Sequence, residues 1–288
     1  MSYQSIYKQD LFQDKVIIIT GGGSGIGRCT AHELASLGAK IIILGRSLDK
    51  LEEVANELAK DGYHADFYST DIRDSEAIRE TILDIIDKQG RIDGLVNNAG
   101  GQFPSSLDNI SDNGWNAVIR NNLSGGFYMM REVYNLYMKE HGGAIVNIVA
   151  SVGYGMPHMG HTGAARAGMM NLTQTAALEW VHSGVRVNAI APGSVASSGM
   201  ETYPDDFKEI LKKRRDQVPM KRQATEAEIS SAIAYLLSDG AAYITGHTMD
   251  VDGGLPLAKE NWPVPAHNKC KPYNGFHLYK EPDFLSQK

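Results

Sequence analysis

The amino-acid sequence predicts an α/β fold, a doubly wound seven-stranded parallel sheet in a single domain (residues 11–255) with a C-terminal extension (256–288). Three observations predict it. Short apolar, β-branched runs such as Lys15–Thr20 alternate with stretches whose apolar residues recur at helical spacing. A glycine-rich turn joins the first run to the first helix, and no proline- or serine-rich linker divides residues 1–255. Because βαβ crossovers are right-handed, such an alternation forms one parallel sheet.

Composition and charge limit the possible functions. The 288 residues are 42% hydrophobic, which suffices for one large core, and the formal charge of −6 argues against nucleic-acid binding. Of the two cysteines, Cys29 lies in the first helix, so we expect a buried thiol in a reducing compartment. No apolar run reaches about 18 residues, and no apolar signal segment precedes Asp14. We therefore expect a cytoplasmic protein without membrane contacts, and we predict no metal site.

The turn between the first strand and the first helix, Thr20–Gly27, marks a predicted cofactor site. Glycines let backbone amides approach a diphosphate, and the helix N-terminus adds unpaired N–H groups and a partial positive charge. A strand-to-helix turn without a ligand is the alternative. The predicted contacts are Gly21, Ser24, Gly25, Ile26 and Gly27.

The second strand, Lys40–Leu44, ends where a dinucleotide would place its adenosine ribose. A carboxylate at this point accepts hydrogen bonds from the ribose 2′-OH, but this chain has Arg46 followed by Ser47. A guanidinium offers a planar fork of donors to a 2′-phosphate, and no carboxylate repels that phosphate. The pattern favours NADP(H), with a solvated arginine as the alternative.

Polar and small residues follow the next two strands at their carboxyl ends, where ligands of open α/β sheets bind. Asp71 comes after the third strand, Ala65–Ser69, and could accept a hydrogen bond from an adenine amino group or serve only as a loop or capping residue. Two asparagines follow the fourth strand and suit a chain that passes a ribose, or form a simple turn. The predicted contacts are Asp71, Ile72, Asn98, Ala99 and Gly100.

The next helix, with apolar residues from Trp115 to Phe127, holds Asn122 in its interior. Asparagine is unfavourable inside a helix because its side chain competes for backbone hydrogen bonds, so its presence there needs an explanation. A kink in the helix that holds a water is one such explanation. The remaining predicted elements are a fifth strand (Ala144–Ile148), a helix to about Ser183, a sixth strand (Val185–Ile190) ended by Pro192 and Gly193, a helix (Glu226–Leu237) and a last strand (Thr248–Val251).

Two segments lack a regular pattern. Residues 194–222 resemble a lid or substrate loop, and their basic run 212–215 is either a solvated helix face or a site for a phosphate-rich substrate. The extension 256–288 contains several prolines and no periodicity, so we expect it to be disordered or to lie across a neighbouring subunit.

Taken together, these motifs resemble the short-chain dehydrogenase/reductase family over about residues 11–255. The resemblance rests on the turn 20–27, Asp71, residues 97–100, Asn122, the pair 192–193 and residues 252–254, in this order. It implies a Rossmann fold, a nicotinamide cofactor, hydride transfer between nicotinamide C4 and a substrate carbon, and a homotetramer. It also implies cofactor contacts after the sixth strand, at Pro192, Gly193, Val195 and Ser197.

The active site departs from the pattern of that family, which is a serine after the fifth strand and a tyrosine followed four residues later by a lysine. Alignment on residues 163–168 places Thr162 at the tyrosine position, Arg166 at the lysine position and Ala150 at the serine position. Asn122 alone is retained. A threonine hydroxyl cannot replace a phenol, whose pKa of about 10 is lowered by a nearby cation. This departure argues against ordinary carbonyl and alcohol chemistry at Thr162.

Within the family, the chain is most similar to the peroxisomal trans-2-enoyl-CoA reductase branch, through residues 100–103, 139–143 and 163–168. Reduction of an activated carbon–carbon double bond needs donors for an enolate oxygen and a proton for Cα. Thr162 can donate, and Arg166 can hold the ribose hydroxyls and keep the site positive. We therefore predict an NADPH-dependent reductase of a small acyl thioester, in fatty acid metabolism. The final residues, 286–288, are not a Ser-Lys-Leu type address, so the peroxisomal location does not carry over.

Two alternatives stay open. The protein could be a carbonyl reductase or alcohol dehydrogenase in which Tyr154, in the loop 151–161, supplies the missing phenol as acid and base. It could also be a catalytically silent NADP(H)-binding protein that acts through partners.

Overall fold

One sheet of seven parallel strands forms the centre of the protein, as the sequence predicts. The computed structural model describes residues 2–153 and 155–286. The sheet has the order β3-β2-β1-β4-β5-β6-β7, so the chain runs outward in both directions from β1, and a crevice opens at the carboxyl ends of β1 and β4. The strands are β1 (Val16–Thr20), β2 (Lys40–Gly45), β3 (Ala65–Ser69), β4 (Gly94–Asn97), β5 (Gly143–Ile148), β6 (Val185–Pro192) and β7 (Thr248–Val251).

Helices cover both faces of this sheet, because the central strands are apolar on both sides. Along β1, Ile17 and Ile19 pack into one core, and Val16 and Ile18 pack into the other. The α-helices are α1 (Gly25–Ser36), α2 (Leu48–Lys60), α3 (Ser75–Gln89), α4 (Asp112–Ile119), α5 (Gly125–Val133), α6 (Lys139–His141), α7 (Gly160–Trp180), α8 (Asp205–Gln217), α9 (Glu226–Leu237) and α10 (Asp283–Ser286). No helix in the described ranges is long and apolar enough to cross a membrane.

The helix predicted around Asn122 is interrupted by a π-helical segment, Arg120–Ser124, which connects α4 to α5. The Asn122 amide nitrogen donates to the carbonyl oxygen of Val118 at 3.0 Å and to that of Gly101 at 2.6 Å. The asparagine inside the helix therefore has a positioning role, because it ties the helix to the loop after β4. π-Helical turns of this kind are frequent at functional sites.

The expectation that residues 256–288 are disordered is wrong for their described part, and the alternative that they lie across a neighbouring subunit stays a prediction. The Phe276 ring is 2% exposed and packs with Tyr3, Cys29 and Ala227 of the same chain, under the guanidinium of Arg28. The Phe276 ring anchors this part of the tail on α1 and α9, and such a contact leaves no periodic pattern in the sequence. The thiol of Cys29 is free and buried, as predicted.

The predicted substrate loop, residues 194–222, contains α8 and a short 3₁₀ helix, Ser198–Thr202. Met200 and Leu211 form a small apolar cluster with Leu285 of α10. The end of the tail therefore supports this loop from the same chain. The basic run 212–215 lies on α8, where Lys212 pairs with Glu209.

Candidate cofactor cleft and active site

A cleft opens at the carboxyl ends of β1 and β4, where the strand order predicts a ligand site. Among the predicted cofactor contacts, Gly27, Arg166, Pro192, Gly193 and Val195 lie outside its lining. Gly193 instead allows the close approach of Asp252, and Val195 bridges to Ala224. The predicted contacts that line it are Gly21, Ser24, Gly25, Ile26, Arg46, Ser47, Asp71, Ile72, Asn98, Ala99, Gly100 and Ser197.

The glycine turn is held in a left-handed conformation and tied to the loop after β4. Gly21 and Gly25 have φ values of +67° and +56°, which only glycine adopts readily. The Thr20 hydroxyl oxygen accepts the backbone N–H groups of Asn98 and Ala99 at 3.0 and 2.9 Å. The Asn98 amide nitrogen donates to the Thr20 and Gly21 carbonyls at 3.0 and 3.2 Å. The side-chain amide of Asn98 therefore fixes the glycine turn through these two bonds.

The first turn of α1 fits a diphosphate. Ser24 occupies its N-cap position without a side-chain capping bond, and the first turn contains no acidic residue. Ser47 stands in the same position before α2, also without a capping bond. Both hydroxyls line the cleft beside unpaired helix N–H groups, which are the donors that anions bind at helix N-termini.

The adenosine end of the cleft is positively charged. The exposed Arg46 is close enough to favour the charged form of Asp71, and it makes no side-chain ion pair in the described part of the chain. Lys50 also lines the cleft and was missed by sequence reasoning. The spacing could have indicated this residue, since it follows Arg46 by four residues across the start of α2. Two cations therefore line this end of the cleft.

Asp71 lies at this end of the cleft, but its carboxylate already has a partner. The Arg73 Nε donates to both carboxylate oxygens, at 2.9 and 3.0 Å. Hydrogen bonds from the Arg73 side chain lower the pKa of Asp71 to about 2. An adenine amino group would share this acceptor with Arg73, which the sequence analysis did not foresee.

Three polar groups meet beyond the cleft, at the ends of β4 and β5. A Cβ on Gly100 would lie 2.5 Å from Nη2 of Arg166 and 2.7 Å from Oδ1 of Asn122, so a side chain there would displace these groups. Arg166 Nη1 donates to the Ile148 carbonyl at 2.6 Å, and Arg166 pairs with no carboxylate among the described residues. Burial lowers the pKa of its guanidinium to about 10, so it stays charged near neutral pH. This unpaired cation suits a ligand with hydroxyl or anionic oxygens.

Thr162 lies one helical turn before Arg166, so both project from the same face of α7. Its side chain is fully buried, and its hydroxyl contacts Nδ1 of His161 at 3.5 Å. The imidazole of His161, to which sequence reasoning gave no role, packs perpendicular to the Phe103 ring at a centroid distance of 4.6 Å. Tyr154, the alternative acid, lies outside the described residues, so its role stays a prediction.

The substrate loop reaches this region. The Gln102 amide nitrogen donates to the Tyr203 hydroxyl at 2.6 Å, and Ser197 and Gly199 line the cleft. The loop after β4 and the segment 194–222 therefore contact each other beside the cleft.

Comparison with known proteins gives consistent matches along the chain. Residues 21–256 match the family described as Enoyl-(Acyl carrier protein) reductase. A probable 2,4-dienoyl-CoA reductase of Bacillus subtilis is 34% identical over 245 residues, covering 84% of this chain and 96% of that protein. The 3-oxoacyl-(acyl-carrier-protein) reductase FabG of Staphylococcus epidermidis is 34% identical over 244 residues, covering 84% and 99%. The structure of the citronellol catabolism dehydrogenase AtuB of Pseudomonas aeruginosa is 49% identical, with a TM-score of 0.80 and coverages of 88% and 99%.

One carboxyl group faces the glycine turn from α9. Glu226 is 4% exposed, and its Oε1 lies 3.8 Å from where a Cβ on Gly25 would be. Burial raises the pKa of the Glu226 carboxyl to about 7, although the Arg28 guanidinium and the Ser198 backbone N–H favour its charged form. Below that pH the group is neutral beside the turn, and above it the group is an anion.

This carboxyl predicts a pH-dependent affinity for a dinucleotide. Between pH 6 and pH 8, NADPH binding should weaken about tenfold, because the ionised carboxylate repels the diphosphate. Glu226→Gln should bind more tightly than the wild type at pH 8 and equally at pH 6. Fluorescence titration of both proteins at each pH measures the difference between their NADPH affinities. Because the 2′-phosphate of NADPH titrates in the same way with both proteins, its contribution cancels in this difference. Parallel pH profiles for the two proteins would contradict the prediction.

Proposed function

The chain belongs to the short-chain dehydrogenase/reductase family of oxidoreductases, and from that premise we propose that it uses NADPH to reduce the activated double bond of a trans-2-enoyl-CoA or similar acyl thioester. The observation that carries the proposal is the pair Thr162 and Arg166 on one face of α7. Neither side chain is an acid for alcohol chemistry at neutral pH, and both can stabilise negative charge. The names of the matched family and of the Bacillus relative support the same reaction class.

The binding roles follow from the cleft. The glycine turn, with the hydroxyl of Ser24, would hold the diphosphate, and Arg46 with Lys50 would hold the 2′-phosphate. Arg166 would hold the ribose hydroxyls, since its guanidinium is charged and has only the Ile148 carbonyl as its hydrogen-bond partner in the described part of the chain. When bound, the nicotinamide would supply a hydride for the β-carbon.

The catalytic roles concern the thioester. As the β-carbon is reduced, negative charge develops on the thioester oxygen, and Thr162 is proposed to donate a hydrogen bond to it. Asn122 holds the loop after β4 through Gly101, which positions that wall of the site. Water would supply the proton to Cα, because Arg166 retains its own proton at neutral pH.

A second candidate, carbonyl or alcohol chemistry, is favoured by two similarities, the 49% identity with a protein described as a citronellol catabolism dehydrogenase and the 34% identity with a 3-oxoacyl-(acyl-carrier-protein) reductase. In that case Tyr154 would be the acid and base.

We propose in addition that the enzyme is a cytoplasmic homotetramer. The two free cysteines are compatible with a reducing compartment. Leu178, near the end of α7, and Val181, just after it, are 79% and 53% exposed, and contact with another subunit would cover them.

The proposed function is tested by NADPH oxidation with three substrate classes, enoyl-CoAs of short and medium chain length, ketones and aldehydes. We expect turnover with crotonyl- or decenoyl-CoA and little with the carbonyl compounds. Ready reduction of ketones with no reduction of enoyl-CoAs would replace the proposal with the second candidate. No turnover in any class would favour a silent binding protein.

Arg46 should determine the preference for NADPH. Charge-assisted hydrogen bonds contribute about 1.5 to 3 kcal/mol each, so Arg46→Asp should weaken NADPH by more than about tenfold and NADH far less. Lys60→Asp, the same charge reversal at the other end of α2, is the matched control and should change neither affinity. Equal weakening of both cofactors by Arg46→Asp would show that Arg46 does not contact the 2′-phosphate.

Two substitutions distinguish charge stabilisation by Thr162 from proton donation by Tyr154. Thr162→Val should lower kcat by about 10² to 10³ with a saturating enoyl-CoA, because one oxyanion donor is lost. Tyr154→Phe should change kcat little. Thr175→Val, on an exposed part of α7, controls for the helix. A large loss in Tyr154→Phe beside a near-normal Thr162→Val would make the loop tyrosine the acid, since general acid catalysis contributes about 10² to 10⁴.

A further inference from the structure

His161 is a buried polar side chain with no assigned role at the proposed active site. It is the second residue of α7, and its side chain is fully buried. Its Nε2 atom has no hydrogen-bond partner among the described residues. Buried polar atoms are almost always paired, because an unpaired one loses its hydration without compensation. An unpaired ring nitrogen inside a catalytic site is therefore a candidate ligand contact.

The surroundings of the ring favour one protonation state. The backbone N–H of Thr162 donates to Nδ1 at 2.9 Å, so that nitrogen is an acceptor. Burial lowers the pKa of the imidazole, and the backbone carbonyl of Met159 opposes that shift. A neutral imidazole whose Nδ1 accepts carries its proton on Nε2. The unpaired atom is then an N–H donor.

The neighbours of the ring place this donor at the substrate side of the site. Phe103, which packs perpendicular to the imidazole, follows the loop that Asn122 holds, and it is 39% exposed. Thr162, whose backbone N–H bonds the ring, shares a helix face with Arg166. His161 thus lies between the wall that follows β4 and the face of α7 that carries the unpaired cation.

We propose that neutral His161 donates an Nε2–H hydrogen bond to the thioester carbonyl oxygen and stabilises the enolate, beside Thr162. This inference rests on the proposed function. NADPH, when bound, would supply the hydride for the new C–H bond at Cβ, and the π electrons of the double bond would move to give the enolate. Water then protonates Cα, and Nε2 keeps its proton. A neutral imidazole suits this role because it stabilises the oxyanion without giving up its proton.

The kinetic test compares a variant that lacks the donor with one that keeps an N–H group. His161→Leu should lower kcat for an enoyl-CoA by about 10² to 10³, with the NADPH dissociation constant unchanged. His161→Gln should keep kcat within about tenfold of the wild type, because its amide can donate. His158→Asn, in the same loop and exposed, is the matched control and should keep wild-type kcat. Equal losses in the Leu and Gln variants, or a Leu variant within threefold of wild type, would overturn the role.

A second measurement uses the wild-type protein and does not depend on turnover or on the folding of a variant. In ¹⁵N-histidine NMR spectra, His161 should be the neutral tautomer with its proton on Nε2, and that proton should shift when NADP⁺ and a saturated acyl-CoA are added together. A proton on Nδ1, or an unchanged Nε2–H signal in the ternary complex, would overturn the inference. If the wild type reduces no enoyl thioester, the proposed function itself fails; if it does and these tests fail, only the role of His161 is lost.

Discussion

The left-handed glycine turn between β1 and α1 is the constraint on which the rest of the site depends. A side chain on Gly27 would collide with the Gly21 carbonyl and the Asn98 amide, so α1 can start this close to the sheet only with glycine there. The same approach points the N-terminus of α1 into the crevice and lets Thr20 hold the loop after β4. That loop carries Gly100 to its position against Arg166, so one backbone arrangement aligns the cofactor cleft with the active site.

The second organising feature is a pair of polar side chains near the ends of β4 and β5 that lack full hydrogen-bonding or charged partners in the described part of the chain. Arg166 has a backbone carbonyl and no carboxylate as its partner in the described part of the chain, and His161 leaves a ring nitrogen unpaired. Such groups cost stability in the absence of a ligand, and they gain partners when oxygen atoms of a cofactor or substrate enter. Positive charge and neutral donors together favour a reaction in which negative charge develops on an oxygen, which is the character of enolate formation.

The sequence predicted the seven strands along the chain and the position of the cofactor cleft, because glycine turns and apolar runs are local patterns. It located Arg46, but it missed Lys50, which reaches the same cleft only through the geometry of the α2 N-terminus. The pairing of Asp71 with Arg73 and the packing of Phe276 on α1 depend on side-chain directions and long-range contacts that spacing does not encode. His161 was overlooked because a lone histidine carries no motif, and its unpaired nitrogen is visible only in three dimensions.

Isotope tracing distinguishes reduction of a carbon–carbon double bond from reduction of a carbonyl group. With NADPH deuterated at nicotinamide C4 on the transferring face and an enoyl-CoA in ordinary water, we expect deuterium on the β-carbon of a saturated acyl-CoA and hydrogen from solvent on Cα. Mass spectrometry and NMR of the product locate each isotope. Deuterium on a carbinol carbon, with the double bond intact, would contradict enoyl reduction and assign the enzyme to carbonyl reduction.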